Sequence, residues 1–175
     1  EERLKEQARL RRLEREREIA EAGEIDWVRS GGTLRDASGR RDVERTERIR
    51  AELRREAEEK RALARWAAYE ARWQDFAASS GPVRFADIPW PVEETPKCAR
   101  EITFRKIEDF LFADLAARGS TVTRKERIRT SMLRWHPDKM GPVAARVVEE
   151  DQADVKEGIG VVFRCLRALQ DPKKA

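Results

Sequence analysis

Residues 124–139 read Arg124-Lys125-Glu126-Arg127-Ile128-Arg129-Thr130-Ser131-Met132-Leu133-Arg134-Trp135-His136-Pro137-Asp138-Lys139. Ile128, Met132 and Trp135 recur at i, i+4 and i+7, the spacing of one helix edge, and predict a helix over Arg124–Trp135. Thr121 or Thr123 can cap its first turn, and Thr123 with Glu126 three residues on is a capping-box pattern. Pro137 has no amide hydrogen and should end that helix. His136 to Pro142 is then expected as a loop, with His136 at a helix C-terminus, where partial positive charge is favourable.

Working outward, the flanking sequence supplies partners for such a helix. Upstream, Ile107, Phe110, Leu111 and Leu115 predict a helix over roughly Ile102–Arg118, closed by Gly119. Downstream, a long helix is expected from about Val143 to Gln170, ended by Asp171-Pro172. Gly158 and Gly160 should weaken its middle enough to kink it or break it in two. Residues 101–175 thus form a helical domain of their own.

Residues 79–100 differ in kind. Ser79-Ser80-Gly81-Pro82 is followed by VRFADIPWPVEETP, whose prolines forbid a helix and favour extended backbone. Val83, Phe85, Ile88 and Trp90 are the apolar anchors of a strap that either lies across a helical surface, the preferred reading, or faces a partner. Before it, a charged helix is expected over residues 41–78. In its later turns Trp66, Tyr69, Trp73 and Phe76 share one face, and aromatics in such a stripe must cover something. That something is either the chain's own C-terminal domain, the preferred reading, or an external partner.

Residues 1–40 are expected as a charged helix ending at Gly23, then a flexible loop containing Gly31, Gly32, Ser30, Ser38 and Gly39. Leu4, Ala8, Leu10 and Leu13 give the helix only a thin apolar stripe. Trp27, with Ile25 and Val28, is either a linear docking motif or an aromatic folded back on its own chain. The fold class expected of the whole is all-α: long charged helices, an extended strap and a C-terminal helical hairpin.

Charged residues make up 41% of the 175-residue chain, and 38 basic side chains against 34 acidic ones leave a formal charge of only +4. The signs interleave, which weakens the far field a dedicated nucleic-acid binder uses and argues against a DNA-binding factor. No apolar run suits a membrane span, so no membrane partner is expected. Cys98 and Cys165 lack metal-ligand spacing and read as reduced thiols of a cytosolic or nuclear protein, Cys165 buried on a helix. The first residue is Glu, which suggests a segment of something longer. His136 is the only histidine. With no paired nucleophile, phosphate loop or metal-ligand set, no catalysis, metal or cofactor is expected.

Arg134-Trp135-His136-Pro137-Asp138-Lys139 resembles the core of a J domain, the module by which co-chaperones stimulate the ATPase of seventy-kilodalton heat-shock chaperones. Cys165-Leu166-Arg167-Ala168-Leu169-Gln170-Asp171-Pro172 resembles that family's closing segment. The resemblance implies that His136, Pro137 and Asp138, with a basic helix face of Lys125, Arg129 and Arg134, engage the chaperone. Ser131 stands at a usually apolar position, Thr130 at a usually basic one, and the connection between the two landmarks is longer than usual. From about Arg65 onward the order of an aromatic YEARW helix, DIPWP, RWHPDK and an alanine- and leucine-containing last helix is similar to the C-terminal half of the NF-kappa-B inhibitor-like protein family. That resemblance implies a nuclear location and a part in transcriptional control and pre-mRNA processing.

Two functions follow as expectations. One is a non-enzymatic nuclear interaction or scaffold factor that docks on protein components of a large assembly, the spliceosome first among ribonucleoproteins, with RNA phosphate contacts along its arginine-rich helices. The docking residues would be Trp27, Trp66, Tyr69, Trp73, Phe76, Phe85, Ile88 and Trp90. The other is a co-chaperone acting through His136-Pro137-Asp138 on a heat-shock ATPase chaperone.

Overall fold

The computed structural model describes residues 1–171. They form an all-α fold with six α-helices: α1 (Glu2–Arg29), α2 (Val43–Ala78), α3 (Phe104–Phe112), α4 (Arg124–Trp135), α5 (Pro137–Ala144) and α6 (Gln152–Gln170). Short 3-10 turns join them, and among the described residues the only extended pairings are isolated bridges, Arg35 with Arg41 and Val83 with Val147. The chain divides into two compact units, Glu1–Glu58 and Glu59–Ala175. The division falls within α2, so its aromatic half and the strap belong with the C-terminal domain rather than forming segments of their own.

In the first unit α1 does not stop at Gly23 but continues to Arg29. An interior glycine costs about 1 kcal/mol, and burial of Val28, 3% exposed, offsets it. The connection to α2 is therefore shorter than expected and tightly hydrogen-bonded. Gly31 turns the chain at φ +97°. The Thr46 hydroxyl accepts from the Leu34 amide at 3.1 Å and donates to the Asp42 carbonyl at 2.6 Å. Asp36 accepts from the Ser38 amide and hydroxyl and from the Arg40 amide. These bonds, Ser38 first, hold its carboxyl below the usual range. Arg45 pairs with Glu24 across the turn.

The second unit is built around Trp135, which is fully buried, and Ile107, Leu111, Val155, Val162 and Leu166 beside it. α4 and α6 form its main helix pair, with α3 against α6. The strap enters this core instead of lying over it: Val83, Phe85, Ile88 and Trp90 are all at most 4% exposed. Trp90 stacks on Trp135 with ring centres 5.3 Å apart and planes 20° apart, and its Nε1–H is satisfied by the Phe85 carbonyl at 2.8 Å. Beside Val147, the Val83 amide donates to the Arg146 carbonyl at 2.9 Å and the Val83 carbonyl accepts from the Val148 amide at 3.0 Å, while the Phe85 amide donates to Asp151 at 2.8 Å.

Three expectations are corrected here. α3 is shorter than Ile102–Arg118: Thr103 caps it, accepting from the Lys106 amide, and it tightens into a 3-10 turn over Ala113–Ala116. His136 to Pro142 is not a loop, because Pro137 opens α5. At the first helical position the missing amide costs nothing and the fixed φ suits the helix. The long last helix is interrupted between Ala144 and Gln152, where the backbone pairs with the strap, while Gly158 and Gly160 lie inside an unbroken α6. Of the expected Asp171-Pro172 stop, Pro172 lies outside the described residues.

Candidate functional site: the α4–α5 face

α4 runs over the predicted residues, and its capping box is formed: the Glu126 amide donates to the Thr123 hydroxyl at 3.2 Å and the Thr123 amide to the Glu126 carboxylate at 2.8 Å. The Thr123 amide and hydroxyl bonds hold the Glu126 carboxyl below its ordinary value. The helix is fixed on its inner side by Trp135, whose Nε1–H donates to the Tyr69 hydroxyl at 3.2 Å. Burial pushes the Tyr69 phenol upward, so it stays protonated. Arg127 and Asp114 form a buried bidentate pair, both bonds 2.8 Å, and the Arg127 guanidinium lies 3.5 Å from the Trp66 ring centre.

These anchors leave one α4 surface open. Lys125, Arg129 and Leu133, at i, i+4 and i+8, are exposed, and Leu133 presents 64% of its surface to solvent. Neither Lys125 nor Arg129 has a carboxylate partner among the described residues. Arg134, expected on the same basic face, is turned elsewhere. It makes a bidentate pair with Glu70 at 2.9 Å and lies over the Tyr69 and Trp73 rings. Burial opposes its charge, but the Glu70 hydrogen bonds and the neighbouring charges outweigh that and hold its pKa above the ordinary value. Arg134 is thus a clamp between α2 and α4, and Lys125 and Arg129 are the free cations.

The His136-Pro137-Asp138 turn stands at the end of this surface. His136, with φ −61° and ψ 137°, ends α4 and caps α5. Its Nδ1 accepts from the Asp138 amide at 3.3 Å, and the Asp138 carboxylate is 3.5 Å away. His136 therefore stands at the C-terminus of one helix and at the N-cap of the next. Phe163 of α6 meets the imidazole edge-on, with ring centres 5.7 Å apart. The His136 and Asp138 side chains remain 49% and 89% exposed.

The residues expected to dock divide sharply. Trp66 and Tyr69 pack on Phe110, and Trp73 meets Trp135 edge-on at 5.3 Å. Tyr69, Phe76, Phe85, Ile88 and Trp90 are buried within the second unit. They hold the domain together. Trp27, 58% exposed, folds back on its own turn: its Nε1–H donates to the Thr33 carbonyl at 3.3 Å and its ring lies against Gly32. Leu133 and Phe163 went unread in the sequence. The i+4 continuation of Lys125 and Arg129 was the available signal for Leu133, and Phe163 had none.

No group of three or more His, Cys, Asp or Glu is placed to hold a metal among the described residues, and no described helix is long and apolar enough to cross a membrane. No family model matches the chain, and neither a curated protein nor a solved structure is significantly similar to it.

Proposed function

We propose that this chain is a non-enzymatic nuclear interaction factor whose second unit docks on a protein of a large assembly through the α4–α5 face. The observation that carries the reading is Leu133, a large apolar side chain 64% exposed between free cations and the His136-Pro137-Asp138 turn. A leucine at the end of a row of cations supplies the apolar contact of an interface, and the cations supply part of its polar rim. The cations select an acidic partner surface. By the resemblance to the NF-kappa-B inhibitor-like family, the assembly is a ribonucleoprotein, the spliceosome first, in pre-mRNA processing linked to transcriptional regulation.

A second reading has its own support. The exposed His136 and Asp138 side chains, with Lys125 and Arg129 one helix away, leave the J-like elements open to a seventy-kilodalton heat-shock chaperone. Affinity purification from nuclear extract, with the chain beside its His136→Gln variant, separates the two. Recovery of one ribonucleoprotein assembly by both forms supports the docking factor. Recovery dominated by a heat-shock ATPase and lost in the variant supports the co-chaperone.

A further inference from the structure

We infer that the N-terminal half of α1 is a docking ridge for the sugar–phosphate backbone of double-helical RNA. The inference is independent of the reading given to the second unit. α1 is polarised along its axis: residues 3–17 carry seven basic and three acidic side chains, whereas residues 18–29 carry four acidic and one basic. Part of the basic half is neutralised locally, by the pairs Arg9–Glu6, Arg12–Glu16 and Arg17–Glu21. Arg3, Lys5, Arg11 and Arg15 have no carboxylate partner among the described residues. Arg15 spends only its Nε on the Arg11 carbonyl, at 3.4 Å.

Arg3, Gln7, Arg11 and Arg15 are four residues apart in succession, so they line one ridge with about 6 Å of rise per step. All four are exposed. Guanidinium groups match phosphate oxygens as a two-pronged fork, and a row of them that turns by about 120° around the helix from Arg3 to Arg15 suits a backbone that itself winds and repeats its charge regularly. The acidic half beyond residue 17 repels the same backbone and confines the contact to about 20 Å of helix.

Other occupants fit worse. Leu4, Leu10, Leu13 and Ile19 are exposed, but at about 100° per residue Leu10 and Leu13 fall on one side of the helix and Leu4 and Ile19 on the opposite side. They make no seam for a second copy or a partner helix. Residues 1–26 contain no aromatic side chain on which the bases of a single strand could stack. RNA is favoured over DNA by Gln7, which sits within the arginine row. Its carboxamide both donates and accepts, as the ribose 2′-hydroxyl does, and the wide minor groove of an RNA duplex displays those hydroxyls.

The test is fluorescence anisotropy of the whole chain with a labelled RNA duplex of mixed sequence, titrated between about 50 and 200 mM salt. The triple variant Arg3→Gln/Arg11→Gln/Arg15→Gln is expected to lower the slope of log affinity against log salt by about 0.9 per lost contact. It should also weaken binding by about tenfold or more at the lower salt. Gln7→Ala is expected to narrow the preference over a DNA duplex of the same sequence. Glu14→Gln/Glu18→Gln, which removes the two carboxylates flanking the ridge and leaves the arginines in place, is expected to tighten binding. The inference is overturned by absent RNA binding, by equal binding of the DNA duplex, or by an unchanged triple variant. It is also overturned if binding is lost on Lys125→Gln/Arg129→Gln instead.

Discussion

Gly158 of α6 lies against the Trp90 indole so closely that a Cβ at residue 158 would stand 2.7 Å from Trp90 Cη2 and 3.3 Å from Ile102 Cδ1. Trp90 is itself pinned between Phe85 and Trp135 and has no room to retreat. Gly160, two residues on, meets only the movable end of Arg164 at 3.0 Å. Gly158→Ala is therefore expected to cost about 1–2 kcal/mol net, overpacking outweighing the gain in helix propensity. Gly160→Ala should stabilise by about 0.5–1 kcal/mol. Urea unfolding midpoints of the two variants check the contrast, and equal shifts would contradict it.

The same pair of glycines shows what the sequence could and could not convey. Both read as weak points of a helix, because helix propensity is local and the indole that needs the space at residue 158 is far away along the chain. α4 and its capping box were legible because periodicity and capping are local too. The all-α class and the aromatic stripe were legible for the same reason, as was the preference for an internal face. α1 was misread at Gly23, where burial of Val28 decides, and Pro137 was misread because a proline ends one helix and begins another with equal ease. At the candidate site, Lys125 and Arg129 were singled out by the resemblance to a J domain rather than by any local pattern. The diversion of Arg134 to Glu70 depends on a contact between residues 64 positions apart, which no local pattern encodes.

Arg127 and Asp114 are the buried ion pair of the second unit, with side chains only 5% and 7% exposed. Asp114→Ala strands the guanidinium in an apolar setting and is expected to cost about 3–5 kcal/mol. Thermal unfolding of the variant measures it. A loss below about 1 kcal/mol would mean that water reaches the pair.

The aromatics once candidates for docking should separate by stability. Trp90→Ala empties the centre of the core and is expected to cost about 3–5 kcal/mol. Trp27→Ala, at a side chain 58% exposed, should stay within about 1 kcal/mol. Denaturant titration of both variants decides, and a small effect at Trp90 would contradict its place in the core.

Burial, with Glu108 nearby, pushes the Cys165 thiol from an ordinary 9.0 up to about 12. At pH 8 iodoacetamide is expected to modify the half-buried Cys98 and to spare Cys165 until the domain unfolds. The sign for stability follows: below pH 9 both states keep the thiol protonated. Above pH 9 the unfolded chain releases its proton first, so this contribution to stability is lost between pH 9 and about 12. Cys165→Ala should remove that part of the alkaline loss. Labelling of Cys165 in the folded protein at the rate of Cys98 would refute the assignment.

The most direct test of the α4–α5 face is a photo-crosslinking amino acid placed at Leu133, with the chain added to nuclear extract and its adducts identified by mass spectrometry. The account predicts adducts with one protein of a ribonucleoprotein assembly, lost when Lys125→Glu/Arg129→Glu is added, while the same crosslinker at Leu63, an exposed position on α2, gives different adducts. Adducts with a heat-shock ATPase, or none beyond those at Leu63, would contradict it.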